Sequence, residues 1–499
     1  MYLWGSGLVK RRVSRLALAL VCGFLVLAFN LADSRSASAL PTPSIKVNAL
    51  PAFARKYGMP CSSCHQAWPM LSPFGQAFKD NGYQLGNERD APIYQNPAYW
   101  PVTFRITPIW HRENTNRAQV DGAAGVGGNE ASVTTHGFDW SGLDFHTGGT
   151  LAKNVSFYVL PSSDNTGAFH FETVFARLDN LAGSSWLNVK LGKFELDNLL
   201  SEKRILTLSS ISGVYTNYHF QPATENNGVN AAFPGFQFGI GDNQVGVEVM
   251  GHSKDDRTRY SVSVLSSNDG SPGLPTSRSY GTFVAASQAF QVGSLGLQRI
   301  GVFDYNGRAP TYFQFTNGNS SDIPGNATFG LAGTGIGNRP FYRAGLIGMF
   351  YIRKYDLTAM YFHSLDDKYL ATGTAVNPAF GTLPTGARNA IWNGALFESH
   401  YTPSPQFILT QRVELVRMSQ QALSIVAGTP YTPGVSVPSL SFGNENVFTF
   451  GGRYYPFMSS RAGFAFHGEY AFSHQIGTSP VTGQNLNFSS LLTGFDFAF

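Results

Sequence analysis

The chain has 499 residues, 43% of them hydrophobic and 14% aromatic but only 13% charged, roughly half the charge of ordinary soluble domains. Mean hydropathy is −0.10, and outside the N-terminal leader no segment approaches the ~18 consecutive apolar residues of a membrane helix. Disorder and a helical membrane protein are therefore excluded. With 54 glycines and 40 phenylalanines, the composition instead fits an all-β transmembrane barrel, whose polar lumen offsets its lipid-facing side chains in any average. A secreted solenoid or propeller would show a repeat of about 20–50 residues, and none is visible.

Residues 1–39 read as a secretory signal peptide. Lys10, Arg11, Arg12 and Arg15 precede an apolar run over 16–29, and Ala37-Ser38-Ala39 gives a small-residue cleavage site. The rival reading, a retained anchor, is disfavoured by the short run. Cys22 lacks the small preceding residue of a lipoprotein signal, since Val21 stands there. The leader carries five of the basic residues and one acid, so its removal leaves thirty of each and a net charge near zero. The basic excess thus belongs to the targeting segment, and nucleic-acid binding is excluded.

Residues 40–99 carry the chemical motif. Cys61-Ser62-Ser63-Cys64-His65 is the C-x-x-C-H pattern of covalent haem c attachment. Each thiol adds to a haem vinyl group, and His65 is expected as the proximal ligand of the haem iron. A redox disulfide would call for a thioredoxin-like βαβ pattern, and structural zinc for a second cysteine pair. Neither is present. Ser72 and Pro73 predict an N-cap and first helical residue, Phe74, Ala77 and Phe78 an apolar face for the haem, and Asn81-Gly82 the stop. The sixth ligand stays open among Met59, Met70, His111, His136, His146, His170, His467 and His474.

Residues 100–499 alternate in the manner of half-buried strands. Val102, Phe104 and Ile106 oppose Thr103, Arg105 and Thr107. Leu187, Val189 and Leu191 oppose Asn188, Lys190 and Gly192, and the same period recurs around Glu248, Arg412, Glu414, His467 and Glu469. At roughly 25 residues per strand and connection, about 16 antiparallel strands are expected. Segments 112–135, 266–279, 306–340, 364–390 and 419–445 read as long extracellular loops. The final Leu491, Thr493, Phe495, Phe497 and Phe499 resemble a barrel assembly signal.

Pro51-Ala52-Phe53-Ala54-Arg55, the C-x-x-C-H, and the stretch from Leu71-Ser72-Pro73-Phe74-Gly75 to Asn81-Gly82-Tyr83 resemble the fused monohaem cytochrome-porin family of bacterial outer-membrane iron oxidases. Detailed similarity spans residues 51–83; beyond them it is architectural. The resemblance implies one covalently bound haem c on Cys61, Cys64 and His65, plugging a 16-stranded barrel. It also implies electron transfer from Fe(II), or another extracellular donor, to a periplasmic electron-carrier protein. Outer-membrane lipid would surround the barrel. No catalytic residue is assigned, and whether the chain counts as an Fe(II) oxidase stays open. The competing function is a diffusion porin with a structural or accessory haem. A dihaem peroxidase would need a second C-x-x-C-H.

Overall fold

A computed structural model describes residues 52–57, 59–67, 70–83, 85, 102–120, 130–163, 167–196, 243–266, 280–310, 338–368, 388–420, 430–432, 435–436, 443–458, 462–476 and 484–498. The expected leader over 1–39, Trp100, Phe499 and much of the long connections lie outside them.

Three short helices, Ala52–Tyr57, Cys61–Cys64 and Pro73–Asp80, come first, with a small antiparallel pair β1 (His65–Ala67) and β2 (Met70–Leu71) among them. The barrel strands are β3 (Val102–Gln119), β4 (Glu130–Ala152), β5 (Val155–Ser163), β6 (Phe169–Leu178), β7 (Asn188–Glu195), β8 (Asn243–His252), β9 (Thr258–Ser266), β10 (Tyr280–Val292), β11 (Gly296–Pro310), β12 (Asn338–Ile352), β13 (Tyr355–Asp366), β14 (Ala390–Ser404) and β15 (Phe407–Gln420). After the minor pair β16 (Pro430–Thr432) and β17 (Val435–Ser436) follow β18 (Glu445–Met458), β19 (Gly463–Gln475) and β20 (Leu486–Ala498).

Sixteen of these strands form one closed antiparallel barrel, each paired with its neighbour in sequence and β20 closing on β3, where Leu492 lies opposite His111 and Ala498 opposite Arg105. Closure leaves no strand edge unpaired, which a sheet in hydrocarbon requires. Among the described residues no helix is long and apolar enough to cross a membrane. Connections alternate between short turns, such as 153–154, 353–354 and 405–406, and long segments, such as 196–242, 311–337 and 367–389. The barrel therefore has a short-turn end and a long-loop end.

The expected alternation is present. Thr103, Thr107, Asn188, Lys190, Glu248, Arg412, Glu414, His467 and Glu469 are buried on the inward face, while Leu191, Val247, Phe466 and Tyr470 stand outward. Two expectations need correction. Strands run well into the segments read as loops: Asn114 pairs with Thr134 and Arg112 with His136 in the β3–β4 ladder, and Ser364 and Asp366 belong to β13. Their polar composition imitates a loop, although at 23 residues β4 is longer than the ~9–11 needed to cross a bilayer. Nor is the lumen uniformly polar. Inward-facing Phe194, Phe283, Phe303, Phe362, Trp392 and Leu396 are almost fully buried and join Phe78 and Tyr83 of the N-terminal segment in one apolar core.

The remaining inward face carries paired charges. Arg105 bridges Asp144 (3.2 Å) and Asp496 (3.0 Å), and Asp496 also meets Arg453 (3.2 Å) and His467 (3.3 Å). On β14 and β15, Arg412 lies between Glu398 and Glu414, and His400 Nε2 is 2.6 Å from Glu398. Pairing of this kind makes ionised groups tolerable away from bulk water.

Candidate functional site

The segment from 52 to 85 is built around its two cysteines. Ser72 caps the Pro73–Asp80 helix as expected, its Oγ accepting from the Gly75 amide at 3.0 Å, and Pro73 occupies the first turn. The Ser72 amide donates to the Cys64 carbonyl (2.8 Å) and its hydroxyl to the Ser63 carbonyl (3.0 Å), so the cap is also tied to the C-x-x-C-H turn. Gly75 is the pivot. A Cβ there would fall 2.0 Å from the Cys64 carbonyl oxygen, so the helix rests directly on that peptide.

This contact sets the rotation of the helix and corrects its expected face. Phe74 is exposed, while Gly75, Phe78 and Lys79, one turn apart, face the cysteines. The helix ends where Asn81-Gly82 predicted: the Gly82 amide donates to Lys79, the Tyr83 amide to Phe78, and Gly82 takes φ +75°.

Barrel strands lock the segment in place. Arg177 on β6 is ion-paired with Asp179 and donates to the carbonyls of Lys79 (3.1 Å) and Asp80 (2.9 Å), oxygens that a helix C-terminus leaves without intrahelical partners. Asp80 further meets Arg259 of β9 at 3.0 Å and accepts from Gln76 at 2.7 Å, and Lys79 pairs with Glu195 of β7. Tyr83 stacks on Phe53 (5.0 Å between ring centroids) and on Tyr158 of β5 (5.8 Å). Tyr158, Arg177 and Arg259 share the inward face of their strands with buried Ser156, Thr173 and Ser261, so the segment packs against the inward-facing side chains of this part of the wall.

Between the segment and strands β3–β7 is a cavity enclosing about 1240 Å³ outside the protein atoms, part of it open to solvent. Cys61, Cys64 and His65 all line it, so the three residues singled out in the sequence converge. Its wall is aromatic, with Phe53, Tyr57 and Phe78 from the segment and Tyr158, Phe175 and Phe194 from the barrel. Lys190 lies 4.9 Å above the Phe194 ring and 3.1 Å from Glu248. Two of the residues left open as sixth ligand also line the cavity, His146 on β4 and Met59 just before the cysteines. The sequence left both among the open candidates for the sixth ligand, with nothing to choose between them.

Neither Cys61 nor Cys64 is in a disulfide. Burial pushes Cys61 up to about 12 and Cys64 up to about 11, with Cys64 adding a repulsive contribution at Cys61, so both are protonated thiols near neutral pH. Among the described residues no three His, Cys, Asp or Glu side chains converge as a metal site made by protein alone. A flat apolar group with its own metal centre, bonded to two thiols and one imidazole, fits this donor set.

No family model matches the chain, and no curated protein matches it. Solved structures that the chain is similar to include the following three. The anion-selective porin from Comamonas acidovorans is 12% identical, with 80% of this chain and 99% of that one covered and a TM-score of 0.45. A loop-deletion variant of OmpT, an outer membrane protein of Vibrio cholerae, is 10% identical, with 80% and 100% covered and a TM-score of 0.41. OprB of Pseudomonas putida is 11% identical, with 79% and 94% covered and a TM-score of 0.40. Independently of these likenesses, strand pairing around the full circle makes the chain a closed, sixteen-stranded antiparallel β-barrel.

Proposed function

We propose that the chain is a bacterial outer-membrane electron-transfer protein of the fused cytochrome-porin kind, carrying one covalent haem c inside its barrel. One observation carries the reading: Cys61, Cys64 and His65 line a single aromatic cavity closed jointly by the N-terminal segment and the barrel wall. In the attachment reaction each S–H adds across one vinyl C=C, forming a C–S and a C–H bond with no external oxidant. When bound, haem c would supply a one-electron acceptor for Fe(II) or another extracellular donor and an electron source for a periplasmic carrier protein.

The chain's own residues do the rest. Cys61 and Cys64 would hold the group against loss through the lumen, and His65 would ligate the iron. Phe53, Tyr57, Phe78, Tyr158, Phe175 and Phe194 exclude water. Arg177, Arg259 and Glu195 keep the segment docked, so the site stays at a fixed depth. The outward Leu, Val, Phe and Tyr side chains suit lipid contact, and the long-loop end suits the extracellular side.

A second reading, a diffusion porin in which the group is accessory, draws support from the charged inward side chains of β3, β14, β15 and β18–β20. The apolar lumen core weighs against a wide aqueous path.

Full-length protein purified from outer membranes should stain for haem after denaturing electrophoresis. In liposomes of known orientation, Fe(II) confined to the long-loop side should reduce the haem while solute flux stays low. Absence of covalent haem would overturn the proposal, and high flux without haem reduction would leave the porin reading in its place.

A further inference from the structure

We propose that His146 is the second axial ligand of the iron held by His65, an assignment that rests on the haem reading above and that the sequence left open. Among the described histidines considered for this role, His146 is the one that lines the cavity with Cys61, Cys64 and His65. His111, beside Asp139 (2.8 Å), His467, beside Asp496 (3.3 Å), and His474, beside Asn487 (2.5 Å), do not line it. His136 and His170 are exposed.

The setting of His146 is that of a positioned ligand. It lies on β4 opposite Thr103 of β3, on the same inward face as Gly148. Its Nδ1 is 2.6 Å from the Tyr158 hydroxyl on β5. Its Nε2 lies 4.0 Å from Asp144 Oδ2, too far for a hydrogen bond; with Nδ1–H donating to the tyrosine oxygen, Nε2 is the nitrogen that would ligate. A second hydrogen bond of this kind is how proteins fix the tautomer of a metal-bound imidazole and raise its basicity.

Tyr158 is itself held. It stacks on Tyr83, which stacks on Phe53, and its ring crosses Gly148 so closely that a Cβ there would lie 2.7 Å from it. The other nitrogen donors on the cavity wall, Lys79 and Lys190, are committed to Glu195 and Glu248. Met59 is the competing ligand, but only one residue separates it from Cys61, so its chain must turn around the edge of the macrocycle to reach the far face. A histidine pair sets a lower reduction potential than histidine with methionine.

The test uses the full-length haem-loaded protein in detergent, read by electron paramagnetic resonance and near-infrared magnetic circular dichroism of the ferric form. Wild type should be low-spin with two nitrogen ligands. His146→Ala should keep its haem stain yet become high-spin, and added imidazole should restore the low-spin signal. Met59→Ala should remain low-spin. Tyr158→Phe, which keeps the ring and removes the hydrogen bond, should stay low-spin with a higher potential. A sulfur-to-iron band in wild type, an unchanged low-spin signal in His146→Ala, or an unchanged potential in Tyr158→Phe would overturn the assignment. Should His146→Ala fail to assemble, the wild-type and Tyr158→Phe measurements still decide it. A wild-type protein without covalent haem would refute the haem reading itself, a result separate from all of these.

Discussion

Arg177 is where the barrel grips the N-terminal segment, and its replacement should release that segment. The guanidinium is nearly fully buried, pairs with an equally buried Asp179, and donates to the carbonyls of Lys79 and Asp80. Hydrogen bonds from a charged donor contribute about 1.5–3 kcal/mol each, so losing both should weaken docking by at least about 3 kcal/mol, roughly 150-fold in the docked-to-undocked ratio. Arg177→Met also strands Asp179, whose remaining contact is the Ser156 hydroxyl at 2.6 Å, and a broken buried pair costs about 3–5 kcal/mol on its own.

Adding Asp179→Asn separates the two effects by removing the stranded charge. In the double variant the thermal midpoint of the barrel should recover, while hydrogen exchange of the Pro73–Asp80 amides stays about two orders of magnitude faster than in wild type. Wild-type protection of those amides in the double variant would show that Arg177 stabilises the barrel alone and does not hold the segment.

Two further outcomes follow from packing. Gly75→Ala places a methyl against the Cys64 carbonyl, a clash with backbone that no rotamer relieves; the helix must lift from the C-x-x-C-H turn, and differential scanning should show a loss of at least about 1–3 kcal/mol together with a lower yield of covalent haem. Phe362→Ala removes a fully buried ring from between Trp392 (5.5 Å) and Phe303 (6.0 Å). It should cost about 3–5 kcal/mol in the heat-modifiability transition and raise single-channel conductance, whereas Phe466→Ala on the outward face should change conductance little.

The sequence made the barrel legible because a half-buried strand must alternate: Lys190, Glu248, Arg412 and Glu414 could point only inward once Leu191, Val247, Val413 and Leu415 pointed out. The cap at Ser72 and the stop at Gly82 were legible because they are local. What sequence could not give was the rotation of the Pro73–Asp80 helix, which depends on Gly75 meeting a peptide eleven residues away, so Phe74 was wrongly expected on the covering face. Strand ends such as Asn114 and Thr134 read as loop because polar side chains beyond the apolar band are indistinguishable from loop composition. The apolar lumen was hidden where both faces of a strand are hydrophobic, as at Phe283 beside Val284. The choice of His146 among several histidines required the cavity, which no spacing encodes.

The seam between β3 and β20 has a consequence for the order of assembly. Residues 52–85 leave the ribosome before any barrel strand, yet the wall that confines them is finished only when the far end of the chain arrives to pair with β3. The segment is thus synthesised first and enclosed last. With a covalent group on Cys61 and Cys64, the attaching machinery must act in that interval, on an open chain whose thiols are still accessible. Barrel closure then completes the wall around a segment that, on the proposed reading, would already carry its group. A chain that closes early would be a well-formed barrel carrying no haem. On the proposed haem reading, the balance between loaded and unloaded protein would be a race between haem attachment and strand pairing.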